Sequence, residues 1–271
     1  MGVAVVGTVV AVAVFGGWAA PYRPTELIGQ PLQSPSGTHV LGTNGVGQDL
    51  ASQLVSGARV SLTVAALAGG GTVIIGALVG MLAGWLGGFV DAAAMRVVDF
   101  VLAIPRLPLL IVLGAYAGPS IGVISAAIAL TFWPSSARVV RSQVLSLRRR
   151  SHVKAAMGFG AETAYVLRRH LLPEVGLILV AGLVSSAGRA VMLEAGLAFL
   201  GLGDPSRASW GQIMRDSLEF SGVFYTTAWV WWLIPPLAAI TVLLLGITFL
   251  GVGLEQRINP RLGRHIVGGK S

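Results

Sequence analysis

Six apolar stretches, each long enough to cross a bilayer, constrain this chain more than any other feature. They run over Val3–Ala20, Val60–Leu86, Val97–Ala117, Ile121 to about Val140, Val175–Leu200 and Ala228–Val252. About 20 apolar residues at 1.5 Å rise span the hydrocarbon core. None of the stretches alternates with period two, which argues against a barrel. Backbone groups inside lipid must be satisfied within the segment, so each stretch predicts a helix. Charged residues make up 11% of the 271, against roughly 25% in soluble domains. Too few charges remain to clothe a globular surface in water. The fold class expected is all-α and polytopic, with six transmembrane helices.

Local composition adds detail. Gly69-Gly70-Gly71 is expected to break the second span, and Pro105 and Pro108 to kink the third. The first span ends in GGWAAP, a passable cleavage site, but no positive charge precedes it as a signal peptide requires, so an uncleaved helix is expected. Asp49 suits the start of a short helix carrying Leu50, Leu54 and Val55, lying on the membrane or leading into the second span. Trp229, Trp231 and Trp232 open the sixth span as an interfacial aromatic belt.

Orientation follows from the basic residues. Eight of the 19 Lys and Arg lie between Arg138 and Arg169, and Arg257, Arg261, Arg264 and Lys270 follow the last span. With six spans these fall on one side with both termini, and that side is expected to be cytoplasmic. Residues 21–59 and 201–227 then face outward. The layout is a first helix and outer segment over 1–59, a membrane domain over 60–252 and a tail over 253–271. The net charge of +8 is spent on loops between apolar runs, which favours contact with membrane lipid over nucleic acid. Without cysteine, and with His39, His152, His170 and His265 scattered, no metal site or thiol chemistry is expected. No nucleotide-binding G-x-x-x-x-G-K-[ST] loop occurs. No Ser-His-Asp or H-E-x-x-H constellation occurs either, so no catalytic residue is assigned.

The longest polar segment is Arg148–Pro173, RRRSHVKAAMGFGAETAYVLRRHLLP. Val153–Met157 predicts a short helix, Gly158 and Gly160 interrupt it, and Ala161–Leu171 resumes it until Pro173 ends it. Two readings stand for such a loop: an amphipathic segment lying on anionic lipid, or a docking surface.

Here the residues resemble a known family. Lys154-Ala155-Ala156, Gly160 and Leu172-Pro173 have the spacing of the EAA loop of importer permeases of the ATP-binding-cassette class, with Lys154 in the place of the acid and His170 in a hydrophobic place. LGTNGVGQDLASQLVSGARVSL (41–62), GWLGGFVDAAAMRVVDFVLAIPRLPL (84–109), LEAGLAFLGLGDPSRASWGQIM (193–214) and LEQRINPRL (254–262) resemble the signatures of its dipeptide and oligopeptide branch. The resemblance covers nearly the whole chain.

It implies the type I, MetI-like fold and a permease subunit of a bacterial inner-membrane importer of short peptides, dipeptides first. The partners it implies are a second, homologous permease, two cytosolic ATPase subunits or one fused ATPase, and an extracytoplasmic binding protein. ATP and Mg belong to the ATPase subunits, and this chain carries no cofactor and is no enzyme. The loop over 148–173 becomes the coupling loop, with Lys154, Ala155, Ala156, Gly160, Ala161, Leu172 and Pro173 docking the ATPase. The same branch includes nickel, glutathione and haem-associated systems. A reading from another class is an ion-coupled secondary carrier.

Charges inside spans are expensive and often functional. Arg106, Arg189 and Glu194 are the candidates for the translocation path. Arg189 and Glu194, five residues apart, lie about 140° apart around a helix. Arg189 is expected to pair with an acid of a neighbouring helix unless it meets substrate; Glu194 is expected to cap or hydrogen-bond near the outer gate.

Overall fold

A computed structural model describes residues 1–20 and 22–258, and the chain is helical almost throughout. The helices are α1 (Gly2–Ala19), α2 (Leu50–Leu86), α3 (Gly88–Ala103), α4 (Arg106–Ala117), α5 (Ile121–Arg148), α6 (Ser151–Gly158), α7 (Thr163–Val166), α8 (Leu172–Leu197), α9 (Trp210–Glu219), α10 (Ala228–Trp232) and α11 (Ile234–Ile258). Four runs among the described residues are long and apolar enough to cross a bilayer: Leu50–Leu86, Ile121–Arg148, Thr163–Leu202 and Ala228–Leu254. The pair α3 and α4 makes a fifth if counted as one span, and α1 is apolar but shorter. Much of the basic tail, including Arg261, Arg264 and Lys270, lies outside the described residues.

The centre of the bundle is the contact between α2 and α5, and small residues create it. Gly76, Gly80 and Gly84 form a stripe at every fourth position of α2. A Cβ on Gly76 would stand 2.5 Å from the Ser136 Cβ, and one on Gly80 would stand 2.5 Å from the Ala137 carbonyl oxygen. Gly84 faces Val144 in the same manner. The pairs advance together along both chains, so the two helices run parallel. In lipid there is no hydrophobic drive between helices, and close backbone approach supplies the van der Waals attraction instead.

On another face α2 meets α8, antiparallel to it. A Cβ on Gly69 would fall 3.0 Å from the Ala187 amide nitrogen, and one on Gly71 would fall 2.9 Å from the Ala129 Cβ. This explains why the triple glycine does not break the helix, contrary to the sequence expectation. Two of the three are consumed in close packing, and the surrounding apolar turns keep the backbone bonded.

Helix α2 also starts well ahead of its apolar run. The buried Asp49 carboxylate caps it, accepting from the Ser52 amide at 2.8 Å and hydroxyl at 2.7 Å. The segment that carries the cap therefore leads directly into the span. His39 Nδ1 lies 3.1 Å from the other Asp49 oxygen and fixes residues 36–49 over this end. That loop packs on Trp231 and Trp232 through Gly42 and Gly45, which leave room for the indoles. Trp232 is 3% exposed. These two tryptophans thus serve a folded loop, not a lipid belt as expected, while Trp229 stays partly exposed.

The third apolar stretch does not form one kinked helix. Gly87 (φ +67°) reverses the chain after α2, and α3 begins at once. Pro105 then stands as the N-cap of α4, so the two helices meet at 83°. A proline here costs no helix bond, because the first turn has no intrahelical acceptor for its N–H. Two ion pairs hold α3 against α5: Asp91 with Arg141, and Asp99 with Arg138.

Candidate functional site

The polar loop that follows α5 is built around a helix end. Val153 of α6 is 1% exposed and packs with Val144, Leu147, Val166, Leu171 and Val175. One apolar side chain thus pins α6 to the ends of its neighbours and turns its other side outward. The helix stops in a Schellman motif. The Ala161 amide donates to the Ala156 carbonyl at 3.0 Å, and the Gly160 amide to the Met157 carbonyl at 3.0 Å. Gly160 sits at φ +81°, where a side chain would clash with the backbone. Gly158, by contrast, is still helical, so the turn belongs to Gly160 alone.

Lys154, Ala155 and Gly160 are exposed, and Ala156 and Ala161 half-buried. Sequence reasoning missed two members of this surface. Phe159 is 92% exposed and Met157 41% exposed. Large apolar side chains within a basic loop were the available signal. With the alanines they make the projecting end of the loop apolar, a surface suited to a protein partner.

Beyond Gly160 the chain rejoins the membrane without a stop. Thr163–Val166 is α-helical, Leu167–Leu171 forms a π-helical turn, and α8 follows at Leu172. Pro173, expected to end the helix, lies in the first turn of α8 instead. The wider turn takes up the register change: the Leu172 amide donates to the Leu167 carbonyl, five residues back. Pro173 and Leu172 are exposed. Glu174 ties this junction back to α6, accepting from Arg150 Nη1 at 2.6 Å and facing His152 Nε2 at 3.3 Å.

The three charges inside the spans part company. Arg106 opens α4; its Nη2 donates to Ser135 Oγ at 3.0 Å, and its guanidinium carbon lies 4.6 Å from the Phe132 ring centroid. Arg189 donates to Ser185 Oγ at 2.9 Å and to Ser186 Oγ at 3.0 Å. The acid partner expected for Arg189 is not there: it forms no ion pair among the described residues. Serines one turn back on its own helix are nearer than any carboxylate on another. Arg189 also borders a cleft of about 410 Å³ between α8 and α11, with Gly188, Ile247, Thr248 and Gly251. Glu194 turns the other way, as the 140° offset requires. It is 2% exposed, and its Oε2 has no hydrogen-bond partner among the described residues. Among the described residues no cluster of His, Asp or Glu suits a metal ion.

Comparison with known proteins agrees with this architecture. The model of a family described as binding-protein-dependent transport system inner membrane component matches residues 76–264. A protein of Brucella suis biovar 1, provisionally named a peptide permease, is 37% identical over 243 residues, covering 89% of this chain and 80% of its own length. The dipeptide transport system permease protein DppC of Bacillus subtilis is 32% identical over 254 residues, covering 93% and 78%. Among solved structures, a chain of the MetNI methionine ABC transporter in an inward-facing conformation superposes with a TM-score of 0.60 at 21% identity. That match covers 76% of this chain and 96% of the other.

Proposed function

The chain belongs to the family of binding-protein-dependent transport system inner membrane components, and on that premise we propose that it is the permease subunit of an ATP-driven importer of short peptides. It is a multi-pass membrane protein, and peptides are the substrate class carried in the names of its relatives. The partners are a second permease that completes the path, cytosolic ATPase subunits that bind ATP and Mg, and an extracytoplasmic protein that delivers the peptide. The basic residues between Arg138 and Arg169 support an orientation with that loop and both termini in the cytoplasm.

The observation that carries the mechanism is the continuity of the loop with a span. Helix α6 projects an apolar end, Gly160 fixes its angle, and the chain passes through the π turn into α8. In this reading Lys154, Ala155, Ala156, Gly160 and Ala161 dock the ATPase, with Met157 and Phe159 filling a groove on it. Leu172 and Pro173 transmit the displacement to α8. Lys154 stands where the family's loop carries an acid, and it is assigned an acidic contact on the ATPase. ATP drives transport only insofar as the ATPase binds the inward and outward states with different free energies. Arg106 and Arg189 line the path; Glu194 is a structural member of its wall.

Co-purification tests this. Gly160→Pro is expected to release the ATPase subunits while the second permease stays bound. Retention of the ATPases with full ATP-driven transport would overturn the assignment of the loop. Uptake that follows an ion gradient and needs no ATPase would overturn the importer reading.

A further inference from the structure

Helices α1, α2 and α8 enclose a lateral groove of about 770 Å³ that is lined by two arginines, Arg59 and Arg207, and otherwise almost wholly by apolar side chains. Ala13, Ala65, Ala66 and Ala187 keep it open, because larger side chains at those positions would fill it. Leu67 and Leu183 border it and are 53% and 39% exposed, so the groove faces outward from the bundle. Helix register gives the depth. Arg59 immediately precedes the apolar run that opens at Val60, and it lies against Gly17, near the end of α1. That is the level at which a span passes from hydrocarbon to headgroups. Leu67 stands eight residues further along α2, about 12 Å deeper. The groove is therefore cationic at headgroup level and apolar below it.

Arg59 is held in place but not neutralised. Its Nε donates to the Ala13 carbonyl at 2.6 Å and its Nη2 to the Val14 carbonyl at 3.3 Å. A Cβ on Gly17 would collide with the guanidinium, so that glycine lets it rest on α1. Both carbonyls are uncharged, and Nη1 bonds to neither. Arg207 comes from the loop between α8 and α9 and is exposed. Asp204, in the same loop, bonds to the Ser206 amide and hydroxyl instead of to Arg207. Neither arginine is in an ion pair among the described residues. A guanidinium presents several donors in a plane that matches phosphate geometry. Two of them above an apolar trough complement an amphiphile with an anionic head and a hydrocarbon tail, and the bilayer supplies such molecules.

We infer that this groove binds one anionic phospholipid, its headgroup shared by Arg59 and Arg207 and an acyl chain lying along Leu62, Ala66 and Leu183. The inference needs only that the spans lie in a membrane, and it is independent of what the permease carries. The lipid neutralises both cations and fills the space between the three helices. It also links the loop after α8 to the end of α1, which Arg59 already ties to α2.

The test offers the complete purified complex an equal mixture of phosphatidylglycerol and phosphatidylcholine with the same acyl chains, and native mass spectrometry reads what is retained. The unaltered complex is expected to prefer phosphatidylglycerol about tenfold, the scale set by two basic residues at the membrane surface. Arg207→Gln, which leaves the Arg59 contacts with α1 in place, is expected to lower that preference severalfold. Arg23→Gln removes a charge outside the groove and is expected to leave it unchanged. Ala66→Phe fills the trough and is expected to reduce retention of both lipids. The same preference in Arg207→Gln as in the unaltered complex, or an equal fall in Arg23→Gln, would overturn the site. The chain has no cysteine, so Ala66→Cys gives it a single thiol for a photo-crosslinker. A phosphatidylglycerol adduct is expected there. A crosslink to the second permease, or no lipid adduct, would overturn the site, and either result leaves the importer reading intact.

Discussion

Arg141 of α5 grips Asp91 of α3 with two nitrogens, the second bond measuring 2.6 Å. The pair joins α3, which follows the chain reversal at Gly87, to α5 and is the firmer of the two links between them. The other, Asp99 with Arg138, is more than half exposed on both sides. Asp91→Asn is expected to lower stability by about 1 kcal/mol, since a partly exposed pair is screened. Asp99→Asn is expected to leave it within about 0.5 kcal/mol. Thermal unfolding of the purified complex in detergent reads both. Equal losses would contradict the ranking.

The glycines of α2 divide into those that touch and those that do not. Gly80→Val would drive a side chain into the Ala137 carbonyl and the Val140 side chain. Overpacking of this kind costs about 1–3 kcal/mol. Gly70→Ala meets nothing within 4 Å and is expected to be neutral or to stabilise by up to about 1 kcal/mol. The two melting temperatures should move in opposite directions, or only the first should move.

Two nearby glycines of the loop give a sharper contrast. Gly158→Ala stays within helical backbone and is expected to preserve activity. Gly160→Ala forces a side chain to φ +81°, at a cost of about 1–2 kcal/mol. The expected consequence is a tilted α6 and a severalfold loss of peptide-stimulated ATPase activity, with basal ATPase activity retained. Equal activity of the two variants would mean that the Schellman turn does not set the docking angle.

Asp204 gives the loop between α8 and α9 a pH dependence with a definite sign. Partial burial pushes its carboxyl up. The Ser206 hydroxyl and amide, the Ile121 amide and the Arg207 charge outweigh this and hold it below the usual carboxylate range. An acid whose folded-state value is depressed stabilises the fold above its unfolded value of about 3.9, and that contribution is lost as pH falls through the folded value. Acidification below about pH 4 is therefore expected to loosen residues 204–207. Hydrogen exchange at the Ser206 amide should accelerate there. Asp204→Asn should exchange faster at neutral pH and lose the acid dependence.

The spans were legible in the sequence because lipid leaves little choice. The apolar runs opening at Val3, Ile121, Val175 and Ala228 lie within observed helices to within a few residues, apart from short breaks near Leu200 and Leu233. What the sequence hid was partnership. The break expected at Gly69-Gly70-Gly71 vanished once Ala187 and Ala129 lay against them. Pro105 and Pro108 looked like a kink, but the second helix starts at them. Pro173 looked like a stop, yet a π turn carried the helix past it. Trp231 and Trp232 looked like lipid anchors because the glycines that receive them lie about 190 residues away in sequence. For the candidate site, the turn at Gly160 was readable, but the interruption also expected at Gly158 is helix instead. The serines that hold Arg189 were not read, although Ser185 and Ser186 stand one turn back on the same helix.

The close contact of Gly69 with Ala187 divides the helical run Thr163–Leu197 into unequal arms. About 36 Å lies toward the loop and about 15 Å toward the far side. In the proposed coupling mechanism this contact, where the backbones touch, serves as a fulcrum. A push of a few ångströms at the loop end arrives reduced more than twofold in travel and correspondingly increased in force. Arg189 lies two residues from the pivot, and Glu194 lies seven residues along the short arm. In the proposed transport cycle such gearing would open a tight seal a short way.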